Sequence, residues 1–237
     1  MNAHVQFEKR LPVKLTCSAF LTLKRSGAFA AYEKSELLDG EISGVPRQEP
    51  DEPESDASVP IKLRVEDYGL LQRSHELEPY GRTELIDGDI YAMSPQYRPH
   101  GYAKDELAYR MRRALEKLAL DVHVATDQSI TLSAHSEPQP DIILTTEPRG
   151  EGPIPGGTVR LIVEVADTTV RFDLDAKAGV YATAGVAEYW VVDVNARIIY
   201  RMTTPTGETY GVTTTHPFGD AIEAATIAGL RIDTSAL

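Results

Sequence analysis

The stretch LIVEVADTTVRFDLDAKAGVYATAGVAEYWVVDV, residues 161–194, sets the order strand, helix, strand. LIVEV is dense enough in Leu, Ile and Val to be a central strand covered on both faces. DLDAKAGVYATAG reads as a helix closed by Gly185, and AEYWVVDV as another buried strand. Upstream, DIILT (residues 141–145) is a second central strand, separated from LIVEV by the Pro- and Gly-rich loop TEPRGEGPIPGG. DVHVATDQSITL, before it, is one further apolar run. Between Gly101 and Leu120 the residues Ala103, Leu107, Met111, Leu115 and Leu118 recur at intervals of three and four, which is the pattern of an amphipathic helix. The tail from Asn195 to Leu237 alternates polar and apolar residues with many threonines, as added antiparallel edge strands do. The sum is an α/β fold with a mixed central sheet flanked by helices.

Composition bounds what such a fold can do. With 42% apolar and 25% charged residues, the 237-residue chain has material for a real core, yet it has no apolar run near the ~20 residues of a membrane span. No membrane association is expected. MNAHVQFEKRLPVKL lacks the apolar segment of a secretory signal and Cys17 has no second cysteine to pair with, so a cytoplasmic location is expected. Asp and Glu number 36 against 24 Lys and Arg, a formal charge of −12. Any contact with nucleic acid must therefore be local, through a focused basic patch or a bound cation.

Residues 12–42 align without a gap to residues 60–90, an offset of 48 (60 against 12). The pairs include Lys14/Lys62, Leu15/Leu63, Leu23/Leu71, Tyr32/Tyr80, Glu36/Glu84, Asp39/Asp87 and Gly40/Gly88. Each copy reads as a short helix followed by a hairpin, because Asp-Gly between apolar runs suits a tight turn. Two copies are too few for a solenoid. RQEPDEPESDASVP, rich in proline and acid, reads as a solvated linker. The expected division is a partial repeat over 1–46, a linker over 47–60 and a complete domain over 61–237.

Two carboxylates stand out. Asp141 opens DIILT directly after Pro140, and Glu164 sits inside LIVEV between Val163 and Val165. An ionised acid in a buried strand costs several kcal/mol unless it is paired, hydrogen-bonded or coordinated. Either acid alone could cap a strand or pair with an arginine such as Arg160. Together, on adjacent strands, they form an oxygen-rich site suited to Mg²⁺ or Mn²⁺. Lys177 shares a helix face with Tyr181 and Ala184, where it can either reach the acids or extend along the helix edge to solvent. Asp173 reads most simply as a helix N-cap, and Glu188, Tyr189 and Trp190 as packing and strand-pairing residues.

The combination of ELIDGDIYAMSPQ, His100 ahead of a helix, QPDIILT and EVADTTVRFDLDAKAGVYATAGVAEYWVVD resembles the Uma-type restriction endonuclease family, a branch of the PD-(D/E)XK nuclease superfamily. The resemblance runs from about Ile61 to Leu237. It implies a restriction-endonuclease-like core, a nucleic-acid partner, DNA first of all, and hydrolysis of phosphodiester bonds with Mg²⁺ or Mn²⁺. Asp141 matches the PD aspartate and Glu164 the acid of the third motif. The literal pattern would place lysine at 166, where this chain has Ala166; the matching lysine is Lys177 on the following helix. Glu84 and His100 match further recurring positions, although Glu84 could equally pair with Arg82 or Arg98, and His100 could simply begin its helix. Nucleases that cut both strands often work as homodimers, so that state is open here. The acidic balance and the missing lysine at 166 also leave room for the alternative of a catalytically inactive nuclease fold serving as a binding or assembly module.

Overall fold

The computed structural model describes residues 11–48 and 56–237, so residues 49–55 of the expected linker lie outside the described residues. The described chain forms two compact units: Leu11–Met93 with Ala134–Ser136, and Ser94–Ser133 with Glu137–Leu237. Both copies of the repeat therefore fall in one unit, which divides the chain at a different place from the sequence reading.

In the first unit the elements are α1 (Cys17–Ser26), β1 (Tyr32–Leu38), β2 (Glu41–Pro46), β3 (Val59–Pro60), α2 (Val65–Arg73), β4 (Thr83–Ile86) and β5 (Asp89–Ala92). Thr16 caps α1, its hydroxyl accepting from the Ala19 N–H at 3.1 Å. β1, β2 and β3 make a three-stranded sheet and β4–β5 a hairpin. Val59–Pro60, read from sequence as the end of the linker, thus pair with Gly44 and Ser43. Both hairpins turn on Asp-Gly with the left-handed backbone that this turn demands: φ is 49° and 75° at Asp39 and Gly40, and 47° and 74° at Asp87 and Gly88.

The duplication is a pseudo-twofold in space. Val13 N–H donates to Ile90 O at 2.8 Å and Ile61 N–H donates to Ile42 O at 2.9 Å, the same bond given once in each direction between equivalent residues. Within each copy Leu15 N–H reaches Gly40 O at 2.9 Å and Leu63 N–H reaches Gly88 O at 3.0 Å. Lys14 pairs with Glu41 at 2.7 Å, and Lys62 with Asp89 at 2.8 Å. One apolar core serves both copies, with Leu23, Leu71 and Leu85 fully buried in it. The second copy is clasped further by Ala134–Ser136, where the Gly88 N–H donates to His135 O and the Asp87 N–H to the Ser136 hydroxyl.

The second unit begins with α3 (Arg98–Leu118) and continues through β6 (His123–Thr126), β7 (Ile130–Thr131), β8 (Ile142–Thr145), β9 (Ile154–Pro155) and β10 (Val159–Ala166). A single helical segment follows, made of α4 (Val170–Phe172), a π turn (Asp173–Lys177) and α5 (Ala178–Thr183). Then come β11 (Glu188–Asp193), β12 (Ile198–Thr206), β13 (Thr209–Pro217), β14 (Ala221–Glu223) and β15 (Arg231–Asp233). Six strands form one mixed sheet in the order β13-β12-β11-β10-β8-β6. β10 and β11 are parallel, joined by the helical crossover, and the other pairs are antiparallel. This is the restriction-endonuclease-like arrangement of a mixed sheet with helices on its faces.

The pleat divides the sheet's side chains between two cores. Ile142, Leu144, Leu161, Val163, Val165, Trp190 and Val192 pack with the inner face of α3. Ile143, Ile162, Ala166, Tyr189 and Val191 pack with Ala178 and Tyr181 of α5. β8, β10 and β11 are accordingly buried on both faces, as their uninterrupted apolar runs require. The run DVHVATDQSITL does not form one strand. It breaks at Asp127, whose φ is 54°, so β6 joins the main sheet at its edge while β7 pairs in parallel with β9. β12 and β13 extend the opposite edge, and β14–β15 form a separate small ribbon. Among the described residues no helix is long and apolar enough to cross a membrane.

Candidate active site

β8 and β10 run antiparallel with Ile142 opposite Val163. One step further along that register sets Asp141 level with Glu164. The Asp141 carboxylate turns onto the neighbouring strand, where its Oδ2 accepts from the Val165 N–H at 2.8 Å. Both acids are buried. They are the two that the sequence singled out, held side by side because Pro140 and the apolar strands fix where each backbone begins and pairs.

Glu164 shares the pleat face of Ile162 and Ala166, which looks onto the helical crossover. Lys177 Nζ donates to Glu164 Oε1 at 2.9 Å, and the Tyr181 hydroxyl donates to the same oxygen at 2.7 Å. Asp173, Lys177 and Tyr181, each four residues apart, are all buried. A π turn over 173–177 adjusts the helix between its two α segments, a feature concentrated at functional sites in proteins generally. The carbonyl of Asp173, displaced from the regular ladder, accepts from Ala178 N–H and from the Tyr189 hydroxyl, the latter at 3.0 Å. Lys177 therefore does not extend to solvent. Ala166 packs in the sheet core, and the ammonium reaches the acid from the helix instead.

On the other side of Asp141 stands the start of α3. His100 Nε2 lies 3.0 Å from Asp141 Oδ1 as donor to the carboxylate, and Gln96 Nε2 donates to the same oxygen at 3.2 Å. Gln96 Oε1 in turn accepts from Lys104 Nζ at 2.7 Å, and Lys104 pairs with Asp127 at 2.8 Å. His100 and Lys104 are one helical turn apart, so α3 presents both to this network. Gln96, Lys104 and Asp127 were not singled out from sequence. Their signals were a lysine on an otherwise apolar helix face and an aspartate interrupting an apolar run.

Glu84 is fully buried on β4 opposite Tyr91, in the first unit. Asp173 is not an N-cap: Thr169 precedes α4 and donates its hydroxyl to Asp173 Oδ2 at 2.6 Å, because the helix starts three residues earlier than its polar pattern suggests. Glu188 is structural. Its carboxylate accepts from Trp190 Nε1, the Ala225 and Thr226 N–H groups and the Thr226 hydroxyl, tying β11 to the segment before β15.

Among the described residues, no group of three or more His, Cys, Asp and Glu side chains forms a cage for a metal ion. The pair Asp141 and Glu164 still fits one magnesium-sized cation, because Mg²⁺ characteristically takes one or two carboxylates and fills its other positions with water and substrate phosphate. The donor chemistry is all oxygen, as that cation requires.

The family model described as "Putative restriction endonuclease" (Uma2) matches residues 65–235. A crystal structure described as a "putative nuclease belonging to DUF820" from Anabaena variabilis is similar at 18% identity and a TM-score of 0.45, over 60% of this chain and 80% of that one. No curated protein matches the chain.

Proposed function

Since the chain belongs to the Uma2 family of restriction-endonuclease-like proteins, we propose that it is a divalent-metal-dependent endonuclease that hydrolyses phosphodiester bonds of nucleic acid, DNA foremost. The observation that carries this reading is the meeting of Asp141, Glu164 and Lys177 across β8, β10 and the helical crossover. Asp141 and Glu164 would hold Mg²⁺ or Mn²⁺. Such a cation, when bound, supplies positive charge at the scissile phosphate and makes water a better nucleophile near neutral pH. It also offsets the repulsion between a backbone of phosphates and a chain of formal charge −12.

The chain's own groups do the positioning. Lys177 and Tyr181 fix Glu164 through one oxygen, and the Lys177 ammonium stands ready to neutralise charge that develops on the phosphate. The Val165 N–H, His100 and Gln96 hold Asp141 in one orientation. His100, on the first turn of α3, ties the start of that helix to the Asp141 carboxylate. Glu84 belongs to this reading only as a supporting acid. A homodimer would provide two such sites for the two strands of a duplex, and the lone exposed Cys17 accords with a cytoplasmic location.

A purely structural role accounts less well for a lysine and a glutamate buried together, since well-packed apolar residues of similar volume would often be as stable or more so. The test is cleavage of supercoiled plasmid, single-stranded DNA and RNA with Mg²⁺ or Mn²⁺, beside EDTA and Asp141→Ala controls. Cutting that is lost in both controls is the expected result. No cutting of any substrate, with no Mn²⁺ bound by calorimetry, would establish the binding-module reading in its place.

A further inference from the structure

A basic groove of about 440 Å³ lies between the outer face of α3 and β15, lined by Tyr109, Arg110, Arg113, Lys117, Arg231 and Asp233. Its charges are not balanced. Arg110 is held by acids on both sides: its Nε meets Glu106 Oε1, and its Nη1 meets the backbone carbonyl and the carboxylate of Asp233 at 2.8 and 3.0 Å. Glu106 and Asp233 are thereby occupied. Arg113, Lys117 and Arg231 have no ion pair among the described residues and remain on the groove wall as three uncommitted cations.

The aromatic residue organises one of them. Arg113 Nη1 donates to the Tyr109 hydroxyl at 3.1 Å, with the guanidinium carbon 5.9 Å from the ring centroid. This orients the guanidinium without neutralising it, and Tyr109 remains 53% exposed. Arg113 and Lys117 follow each other by one helical turn, about 6 Å. In a chain of formal charge −12, such a locally reversed field is complementary to a polyanion with regularly spaced charges. It has more cations than one small carboxylate could use.

The same helix connects the groove to the candidate active site. His100 contacts Asp141 at the start of α3, and from His100 to Arg113 the helix advances about 20 Å.

We propose that this groove binds the phosphodiester backbone of the substrate away from the bond to be cut, holding it through Arg113, Lys117 and Arg231. The proposal rests on the nuclease reading for the identity of its ligand. Recognition here is independent of base sequence, because all three side chains address phosphate.

The experiment measures binding of a fluorescent 30-base-pair DNA to the full chain in EDTA by anisotropy, over a range of KCl concentrations, with single-stranded DNA and RNA of equal length as parallel probes. Each phosphate contact contributes about 0.9 to the slope of log Kd against log salt on duplex DNA. The triple variant Arg113→Gln/Lys117→Gln/Arg231→Gln is expected to lose up to about 2.7 of that slope and at least tenfold in affinity near 0.1 M salt. The charge-keeping variant Arg113→Lys/Lys117→Arg/Arg231→Lys should retain the slope. An unchanged slope and affinity in the triple variant overturns the proposal, as does failure of the unaltered chain to bind any of the three probes. Cleavage is scored separately with Mg²⁺. Cutting by the unaltered chain with no slope change in the triple variant discards the groove alone, whereas slope loss without cutting by any form discards the nuclease reading and keeps the groove.

Discussion

Lys177 and Glu164 meet at 2.9 Å with only 3% and 6% of their side chains exposed. Removing one member leaves the other charge buried without its counter-ion, at a cost of about 3–5 kcal/mol. Lys177→Met should therefore lower the unfolding free energy by that order and also abolish cleavage. Combining it with Glu164→Gln should recover much of the stability and none of the activity. Urea unfolding of the single and double variants, read beside plasmid cleavage, checks both parts. A Lys177→Met variant as stable as the parent would show that the pair is not what neutralises Glu164.

Tyr181→Phe keeps the ring in the core and deletes only the hydroxyl that donates to Glu164 Oε1. A hydrogen bond to a charged group contributes about 1.5–3 kcal/mol, so a loss of about 2 kcal/mol is expected. If Tyr181 orients Glu164, kcat should fall while KM stays near its parent value. Steady-state cleavage of a short duplex separates the two.

Glu188 provides the opposite case, a buried acid whose four donors all belong to the scaffold. Glu188→Gln turns an amide N–H₂ toward N–H groups and should cost about 2–3 kcal/mol in stability. Specific cleavage per folded molecule should not change. Thermal melting together with active-fraction-corrected rates would reveal any hidden catalytic part.

Leu23 and Leu71 occupy equivalent places in the two copies and are both fully buried. Leu→Ala at either place should cost about 2–5 kcal/mol, by similar amounts at the two places. Chemical unfolding followed by probes in each copy should show one shared transition. If Leu23→Ala left the transition of the second copy unmoved, the two copies would not share a cooperative core.

Burial raises the carboxyl pKa of Glu137 above its ordinary value of 4.5. The folded chain then holds this proton more tightly than the unfolded chain does. Its contribution to stability is complete below the unfolded pKa and is lost as pH rises through the folded one. Glu137→Gln should therefore be more stable than the parent at pH 7 and converge with it near pH 4, as pH-dependent thermal melts would show.

Much of the candidate site was legible because its residues break local rules. Asp141 and Glu164 are acids in apolar strands, exceptions that hydropathy exposes, whereas the helix face that Lys177 shares with Tyr181 left its direction open and the family resemblance pointed it to the acids. The central strands were equally plain, since burial on both faces leaves long runs of Val, Ile and Leu. Gln96 was hidden for the converse reason. A polar residue in a loop breaks no rule, and only the fold brings it to Lys104 and Asp141. The π turn was also invisible: the helix starts at Val170, ahead of the polar residues, so Asp173, polar and near the expected start, looked like a cap. Where the preceding half-copy docks depends on backbone hydrogen bonds that no side-chain pattern encodes.

The reciprocal bonds Val13–Ile90 and Ile61–Ile42 bear on how this chain behaves on dilution. A twofold contact between separate molecules weakens as they are diluted, whereas the same contact between two copies on one chain faces an effective concentration that the chain itself sets and dilution does not change. The pairing is therefore intact at any protein concentration, even a few molecules per cell. The equivalence has a converse: at high concentration the first copy of one molecule can dock on the second copy of another with the same bonds, which makes an exchanged dimer accessible without any new interface.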